Sequence, residues 1–245
     1  MALEIHCFVA AAEAASTLAS RIAVDLATAL ETAPRALLLL SGGQSPIALF
    51  HALGREPLDW SRIDVSLVDE RCAPPEANAA NGELVKSELL KAGAGKARWL
   101  ALIDEHVVES ITEDSAWHLA EIAAVEANEN PLLRQAAVIV LGMGNDGHTA
   151  SLFVDAPQWL HASTTDLRYV ALQPGEAPHP RISLSLQALK QQQRCYVWTV
   201  GGEKMATLDR LRGIDDDAPI SLTHGPMAAL MAAPDVLLEI YWSEG

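Results

Sequence analysis

Short apolar runs alternate with longer amphipathic segments along most of the 245-residue chain. The runs are about five residues long and almost continuously apolar, which is typical of strands buried on both faces of a sheet. They predict strands at Ala36–Ser41, Ile63–Val68, Arg98–Leu102, Ala137–Leu141, Arg168–Gln173, Cys195–Val200 and Val236–Tyr241.

The segments between these runs carry apolar residues three and four positions apart, which is the spacing of a helix face. Thr149–Phe153 is predicted to start a short helix, and Arg181–Gln191 stays open between a helix and a continuing strand. The remaining predicted helices are Glu13–Glu31, Ile47–Leu53, Asn81–Lys91, Asp114–Asn128, the segment from Gly202 to about Leu211, and Met227–Met231.

The alternation of strands and helices predicts an α/β fold with an open, mostly parallel sheet and helices on both faces. Its layering would be Rossmann-like. Pro174–Pro180 is the one candidate boundary, but the rhythm of strands and helices resumes after it. We therefore expect residues 1–245 to form a single domain.

Polar and glycine-rich segments follow four of the predicted strands. Ligands of open parallel sheets bind beyond the carboxyl ends of the strands, so these segments are expected to converge. They are Gly42–Ser45, Asp69–Arg71, Gly142–His148 and Gly201–Lys204. Taken singly, two of them have an ordinary explanation: a serine-capped turn for Gly42–Ser45 and a solvated acidic turn for Asp69–Arg71. Lys204 in the first turn of a helix is less ordinary, because a cation there opposes the helix dipole unless an anion lies between them.

Gly142, Gly144 and Gly147 form a G-x-G-x-x-G pattern after a predicted strand. A dinucleotide site would also need an acidic residue at the end of the next strand, and Asp166 precedes that strand. His148 stands where such a fold needs a small residue. We therefore interpret the glycines as bringing backbone close to a small ligand and delivering His148 to it, beside Asp146.

The net charge of −15 makes nucleic acid and membrane surfaces unexpected partners, but a small anion can still bind in a locally cationic cleft. The three widely spaced cysteines and the absence of a basic N-terminal segment predict a cytoplasmic protein. No histidine pair has metal-ligand spacing, so neither a metal nor a cofactor is expected.

In this order, SGGQSP, VDER, LGMGNDGHTASLF and GGEK resemble the family that contains the 6-phosphogluconolactonases and the glucosamine-6-phosphate isomerases. The resemblance spans about residues 38 to 205. In the isomerase branch a Phe-Asn-Glu-Pro stretch typically follows Gly-His, whereas this chain has Thr149–Phe153. The resemblance thus favours the lactonase branch, which implies hydrolysis of 6-phospho-D-glucono-1,5-lactone without a metal by a monomer or small homo-oligomer.

The same resemblance implies roles for individual residues. His148 would be the general base, Asp146 would position it, and Lys204 would be a catalytic cation. Substrate and phosphate would contact Gly42, Gly43, Gln44, Ser45, Asp69, Arg71, Gly144 and Arg181. Gln44-Ser45 replaces the Ser-Thr pair that is common in the family, and Ala80-Asn81 replaces a common Ser-Asn pair.

Three alternatives to this interpretation make different demands on Ser151 and His148. Ser151 as a nucleophile is disfavoured because the G-x-S-x-G elbow is absent, and its hydroxyl is expected to bond to helix backbone. An amino-sugar-phosphate isomerase remains open. So does a non-catalytic sugar-phosphate-binding protein, which would retain the cations without needing His148.

Overall fold

The computed structural model describes residues 3–77, 79–192, 194–213 and 224–245. Seven strands form one sheet in which all neighbours are parallel, as predicted. In chain order these are β1 Glu4–Phe8, β2 Ala36–Leu40, β3 Ile63–Leu67, β5 Arg98–Trp99, β6 Val138–Leu141, β9 Cys195–Val200 and β10 Leu238–Ser243. Across the sheet the order is β1-β10-β9-β6-β2-β3-β5.

A second, antiparallel sheet consists of three short strands: β4 Asp69–Arg71, β7 Tyr169–Leu172 and β8 Arg181–Leu184, in the order β4-β8-β7. Asp69–Arg71 is therefore a strand and not the solvated turn that was one explanation of it. The strand predicted at Arg168–Gln173 is present as β7, but it pairs in the small antiparallel sheet and not in the parallel one. The alternation and polarity of its residues do not reveal in which sheet a strand of three or four residues pairs.

Helices connect the strands over most of the chain. In chain order they are α1 Ala11–Thr32, α2 Ile47–Leu53, α3 Asn81–Glu88, α4 Glu105–Val108, α5 Glu113–Glu129, α6 Trp159–Thr164, α7 Leu186–Lys190, α8 Gly202–Arg212 and α9 Gly225–Met231. Every residue of β2, β3 and β6 is buried, so both faces of the sheet centre are covered. No helix of the described part of the chain is long and apolar enough to cross a membrane.

The two sheets are joined at Val68, between β3 and β4. Its amide donates to Leu40 O of the large sheet at 3.0 Å, and its carbonyl accepts from Leu184 N of the small sheet at 2.8 Å. One extended segment therefore leaves the parallel sheet and enters the antiparallel one. This crossing carries Asp69–Arg71 beyond the carboxyl ends of the parallel strands. The other polar segments predicted from the sequence lie at the same edge of the large sheet.

Three further segments differ from the sequence expectations. Thr149–Phe153 contains turns and a bridge between Thr149 and Leu152, with Ala150 at a φ of 49°, and not the start of a helix. Arg181–Gln191 contains both of the alternatives left open, β8 followed by α7. The edge strand β1 was not predicted, because EIHCF alternates too briefly to stand out.

Tyr169→Phe tests the contact between the sheets. The buried Tyr169 hydroxyl donates to Leu67 O of β3 at 3.1 Å, and its loss leaves that carbonyl without this donor. We expect the free energy of unfolding to fall by about 1 to 2 kcal/mol. Urea unfolding of both proteins measures the change, and equal midpoints with equal slopes would contradict this contribution.

Candidate active site

The carboxyl ends of β9, β6, β2 and β3 meet at a cleft of about 280 Å³, here called the cationic cleft. It is lined by loops that follow these strands, by the small sheet and by the first turn of α8. Ten of the residues singled out in the sequence lie along it: Gly42, Gly43, Gln44, Ser45, Asp69, Arg71, Gly144, His148, Arg181 and Lys204. Asp146 does not line this cleft but hydrogen-bonds to His148 from outside it.

His148 and Asp146 form a close pair. His148 Nδ1 lies 2.6 Å from Asp146 Oδ1, and the His148 amide donates to the same oxygen at 3.1 Å. Burial alone would raise the pKa of Asp146, but the charge and hydrogen bonds of His148 lower it below its ordinary value. An ionised carboxylate only accepts hydrogen bonds, so Nδ1 carries the proton. In the neutral ring, Nε2 is then free to accept a proton from water.

Two glycines make this pair possible. A Cβ on Gly144 would lie 2.2 Å from His148 Nδ1 and 2.4 Å from Asp146 Oδ1, so any side chain there would collide with both partners. Gly147 has a φ of 88°, which L-residues rarely adopt. The turn closes with Gly144 N donating to His148 O at 2.8 Å. The glycines therefore fold the chain back and leave room for the imidazole.

Arg71 and Arg181 are directly opposite each other in the β4–β8 ladder. Like charges in this position destabilise a sheet unless an anion lies near them. Arg71 donates to Ala79 O at 2.7 Å, while the Arg181 guanidinium donates two longer hydrogen bonds to described residues, each of 3.3 Å, to Ser151 Oγ and Pro178 O. Burial lowers the pKa of Arg181, and the Nε atom of each arginine has no partner in the described part of the chain.

Lys204 is the third cation of the cleft. It lies in the first turn of α8, and its Nζ donates to Met143 O at 2.6 Å, beside the His148 turn. Burial lowers its pKa, while Asp146 and Glu203 act in the opposite direction. Among the described residues, no carboxylate forms an ion pair with Lys204, Arg71 or Arg181. All three charges are available to an anion.

The glycine loop after β2 leaves the start of α2 without a side-chain cap, so the serine-cap explanation is wrong. Ser45 instead accepts at its carbonyl from Trp198 Nε1 at 2.8 Å. Gly43 has a φ of 91°, and a Cβ on Gly42 would lie 2.1 Å from Asn81 Oδ1. The loop backbone therefore packs directly against Asn81, which lines the cleft although it was not among the residues expected to contact substrate.

Glu70 is a buried carboxylate behind the cleft, and the solvated-turn explanation of Asp69–Arg71 is wrong. It accepts from Asn81 N at 2.8 Å, Gly82 N at 2.7 Å and Arg71 N at 2.7 Å. Ala80 at the N-cap of α3 has no side-chain acceptor. Glu70 therefore caps α3 from the neighbouring strand and fixes two residues of the cleft wall, Asn81 and Arg71.

Ser151 is fully buried, and its hydroxyl donates to Asp69 Oδ2 at 2.5 Å. The expectation of a hydroxyl bonded to helix backbone is thus wrong, since the segment is not helical. Ser151 Oγ also accepts a hydrogen bond from Arg181 Nη1 at 3.3 Å. Ser151 links Asp69 to Arg181, and its burial is incompatible with the nucleophile alternative.

A larger cavity of about 680 Å³ lies beside the cationic cleft and shares four wall residues with it: Gly43, Gln44, Arg71 and Asn81. His148 does not line it, so the paired imidazole faces the smaller space. A separate group at the β1–β10 edge, Glu4, His6 and Glu239, has ligand atoms within 4.8 Å of one another. It was not expected from the sequence, because Glu239 is far along the chain from Glu4 and His6.

The contacts that Glu70, Phe153 and Trp198 make at the site were not expected from the sequence. Glu70 stands within the VDER segment, but one residue in isolation carries no sign that its carboxylate caps a helix eleven positions later. Phe153 and Trp198 look like ordinary core residues because they lie within apolar runs. Only their hydrogen bonds and ring contacts relate them to the site.

Comparison with known proteins gives one family and many close relatives. Residues 10–234 match the model of the family described as glucosamine-6-phosphate isomerases/6-phosphogluconolactonase. A 6-phosphogluconolactonase of Pseudomonas aeruginosa is 38% identical over 234 residues, which covers 95% of this chain and 91% of the relative. One of Neisseria meningitidis serogroup A is 37% identical over 220 residues, covering 89% of this chain and 92% of the relative.

Solved structures agree with these relatives. The crystal structure of a 6-phosphogluconolactonase from Shewanella baltica superimposes with a TM-score of 0.85 at 33% identity, covering 98% of this chain and 97% of that one. The 6-phosphogluconolactonase from Trypanosoma cruzi is only 20% identical but still gives a TM-score of 0.80 over 100% of this chain and 96% of that one. The fold is therefore retained at low identity.

Gly144→Ala tests the geometry of the His148–Asp146 pair. The new Cβ would displace the imidazole, so the pKa of Asp146 should rise towards its ordinary value. Carboxyl ¹³C titration by NMR measures this shift. Gly142→Ala is the matched control, since a Cβ there meets nothing within 4 Å. Equal Asp146 titrations in the two variants would contradict the steric argument.

Glu70→Gln tests the buried cap. Burial, aided by the charge of Asp69, raises the pKa of Glu70 from 4.5 to about 7, although its three N–H donors act in the opposite direction. The folded chain therefore holds this proton at a pH where the unfolded chain has lost it. The corresponding stability is present below about pH 4.5 and is lost as pH rises through about 7.

Unfolding free energies measured in urea across this pH range provide the readout for Glu70→Gln. The wild-type value should fall relative to that of the variant between about pH 4.5 and 7, because only the wild type has this ionisation. Two parallel stability curves would show that Glu70 does not titrate in this way.

Proposed function

The chain belongs to the family of glucosamine-6-phosphate isomerases and 6-phosphogluconolactonases, and we propose that it hydrolyses 6-phospho-D-glucono-1,5-lactone with His148 as general base. It is a hydrolase of the oxidative pentose phosphate pathway, and its product is 6-phosphogluconate. The observation that carries this proposal is the cationic cleft itself. Three cations, Arg71, Arg181 and Lys204, line one small cavity with an imidazole whose Nε2 has no hydrogen-bond partner among the described residues.

The base acts on water. Nε2 of the neutral His148 accepts a proton as the water oxygen attacks the ring carbonyl carbon of the lactone. The tetrahedral intermediate then collapses, the bond to the ring oxygen breaks, and the imidazolium returns its proton to that oxygen. Proton transfer by a positioned side chain contributes about 10²- to 10⁴-fold. Asp146 holds the ring in the required tautomer and stabilises the imidazolium.

The cations divide between the two ends of the substrate. Arg71 and Arg181 lie side by side in the small sheet, and two guanidinium groups suit a phosphate dianion. The backbone of Gly42–Ser45 lies on the same wall and adds N–H donors. Lys204 is anchored at the turn that carries His148, so it is the cation nearest to the reacting carbonyl and stabilises the oxyanion.

Positioning of the substrate contributes further to the rate acceleration. A sugar lactone is an activated ester, so attack by water needs orientation and charge stabilisation and no covalent intermediate. A phosphate fixed at one end of the cleft holds the carbonyl near the base at the other end. Asp69 supports this arrangement through Ser151 and Arg181, and Gly144 supports it by making room for His148.

The cellular setting is part of the same proposal. Cys7, Cys72 and Cys195 are free thiols, which suits a reducing cytoplasm. The net charge of −15 disfavours nucleic acid and anionic membranes as partners. We propose a single domain over residues 1–245, supported by one continuous cluster of buried apolar side chains, acting as a monomer or small homo-oligomer.

His148→Ala is the decisive variant. We expect kcat for freshly generated 6-phosphogluconolactone, corrected for spontaneous hydrolysis, to fall at least about 10²-fold, because the proton acceptor is removed. KM should change little, since the phosphate contacts remain. His161→Ala is the matched control, because His161 is exposed on α6.

The outcomes separate the parts of this proposal. A wild type no faster than spontaneous hydrolysis would disprove lactonase activity, and conversion of glucosamine 6-phosphate would then indicate the isomerase branch. A fast His148→Ala variant would leave the reaction in place and remove His148 as its base.

A further inference from the structure

Phe153 contacts two residues of the cationic cleft with one ring. Its centroid lies 4.1 Å from that of the His148 imidazole, with an angle of 29° between the planes. The guanidinium carbon of Arg181 lies over the same phenyl ring, 5.1 Å from the centroid. The base and a cation of the phosphate end therefore share one aromatic neighbour.

Phe153 itself stays outside the cationic cleft. Among the described residues that line this cleft, His148 and Arg181 are present and Phe153 is not. Phe153 instead lines a second cavity of about 570 Å³, which we call the outer cleft, together with His148, Asp155, Glu176 and Pro226. A substrate in the cationic cleft would touch His148 and Arg181 but not the ring behind them.

The imidazole needs a second fixed point. Asp146 holds Nδ1 at 2.6 Å, but a single hydrogen bond leaves the ring plane free to rotate about it. The Asp146 side chain is itself 61% exposed, so it is a poorly confined anchor. A face-on contact with a buried phenyl ring restricts the plane of the imidazole. Asp146 therefore keeps Nε2 unprotonated in the neutral ring, and Phe153 fixes the direction in which Nε2 points.

Arg181 is also weakly held by its hydrogen bonds. Its two hydrogen bonds are long, its Nε has no partner in the described part of the chain, and Arg71 lies directly opposite. Arg181 is only 7% exposed, so little water surrounds its guanidinium, and this burial lowers its pKa. The negative face of a phenyl ring is an electrostatic partner for a desolvated cation. It also leaves the N–H donors available to an anion.

The local chain path explains how one residue reaches both groups. The bridge between Thr149 and Leu152 and the positive φ of Ala150 turn the chain back after His148. Phe153, five residues after His148, is thereby returned to the imidazole. A helix starting at Thr149 would not make this return, because residues five apart in a helix point in different directions.

We propose that Phe153 is a positioning residue that holds the His148 base and the Arg181 cation in a fixed relation to each other. The proposal rests on the function assigned above, because it supposes that both ends of one substrate must be held in register. It predicts that loss of the aromatic face affects kcat through His148 and KM through Arg181.

Phe153→Leu removes the aromatic face and keeps an apolar side chain, while Phe153→Tyr keeps the face. We expect Phe153→Leu to lower kcat and to raise KM for the lactone, each by about 5- to 10-fold. Phe153→Tyr should stay within about 2-fold of wild type. Phe8→Leu is the matched control, because Phe8 stacks on Tyr241 at 6.1 Å, at the β1 edge of the sheet.

Two measurements do not depend on catalysis. The ring current of Phe153 should shift the His148 imidazole protons in the NMR spectrum, and Phe153→Leu should abolish that shift. The dissociation constant for inorganic phosphate should rise about 5-fold in Phe153→Leu and remain unchanged in Phe8→Leu. Thermal unfolding of all variants shows whether the changes follow stability alone.

The result that would overturn the proposal is a Phe153→Leu variant with wild-type kcat, KM and phosphate affinity. Equal losses in Phe153→Leu and Phe153→Tyr would also overturn it, since the aromatic face would then be irrelevant. If the wild type fails to hydrolyse the lactone, the proposed function fails, whereas the NMR and phosphate measurements still decide whether Phe153 orders its two neighbours.

Discussion

The hydrogen bonds of Val68 are the constraint on which the site depends. Its amide belongs to the parallel sheet and its carbonyl to the antiparallel one, so a single extended segment serves both. Without this crossing, Arg71 would follow β3 as an ordinary turn residue, and Arg181 would have no strand opposite it. The crossing instead brings two cations on short strands beside the carboxyl ends of the parallel strands.

Placing cations together has a cost that the surrounding groups offset. Asp69 lies near Arg181 and bonds to Ser151, so it lowers the local positive potential without forming an ion pair that would occupy the guanidinium. Glu70 lies behind the cleft, and its carboxyl oxygens accept hydrogen bonds from backbone N–H groups. The cleft is therefore cationic at its surface and supported by buried carboxyl groups, which suits reversible binding of a small anion.

The end of the cleft that carries His148 is built differently, from backbone shape. Glycines supply a turn that L-residues would resist, and the absence of a Cβ at Gly144 leaves the space that the imidazole and Asp146 occupy. Phe153 then returns to the same ring through an irregular turn. The space left by Gly144 and the packing of Phe153 thus both act on the His148 imidazole. This combination explains why a lone histidine on a loop can be held in one orientation.

The sequence by itself determined the parallel α/β layering, because continuous apolar runs and helical spacing are local signals. It also identified the polar segments that converge, since parallel strands end on one edge. Ordered motifs distinguished the lactonase branch, which composition alone did not do. The tertiary structure alone decided the small antiparallel sheet, the cap that Glu70 supplies to α3, and the contacts of Ser151 and Phe153. These depend on contacts between residues that are distant along the chain, or on a turn with positive φ at Ala150, and neither leaves a periodic trace in the sequence.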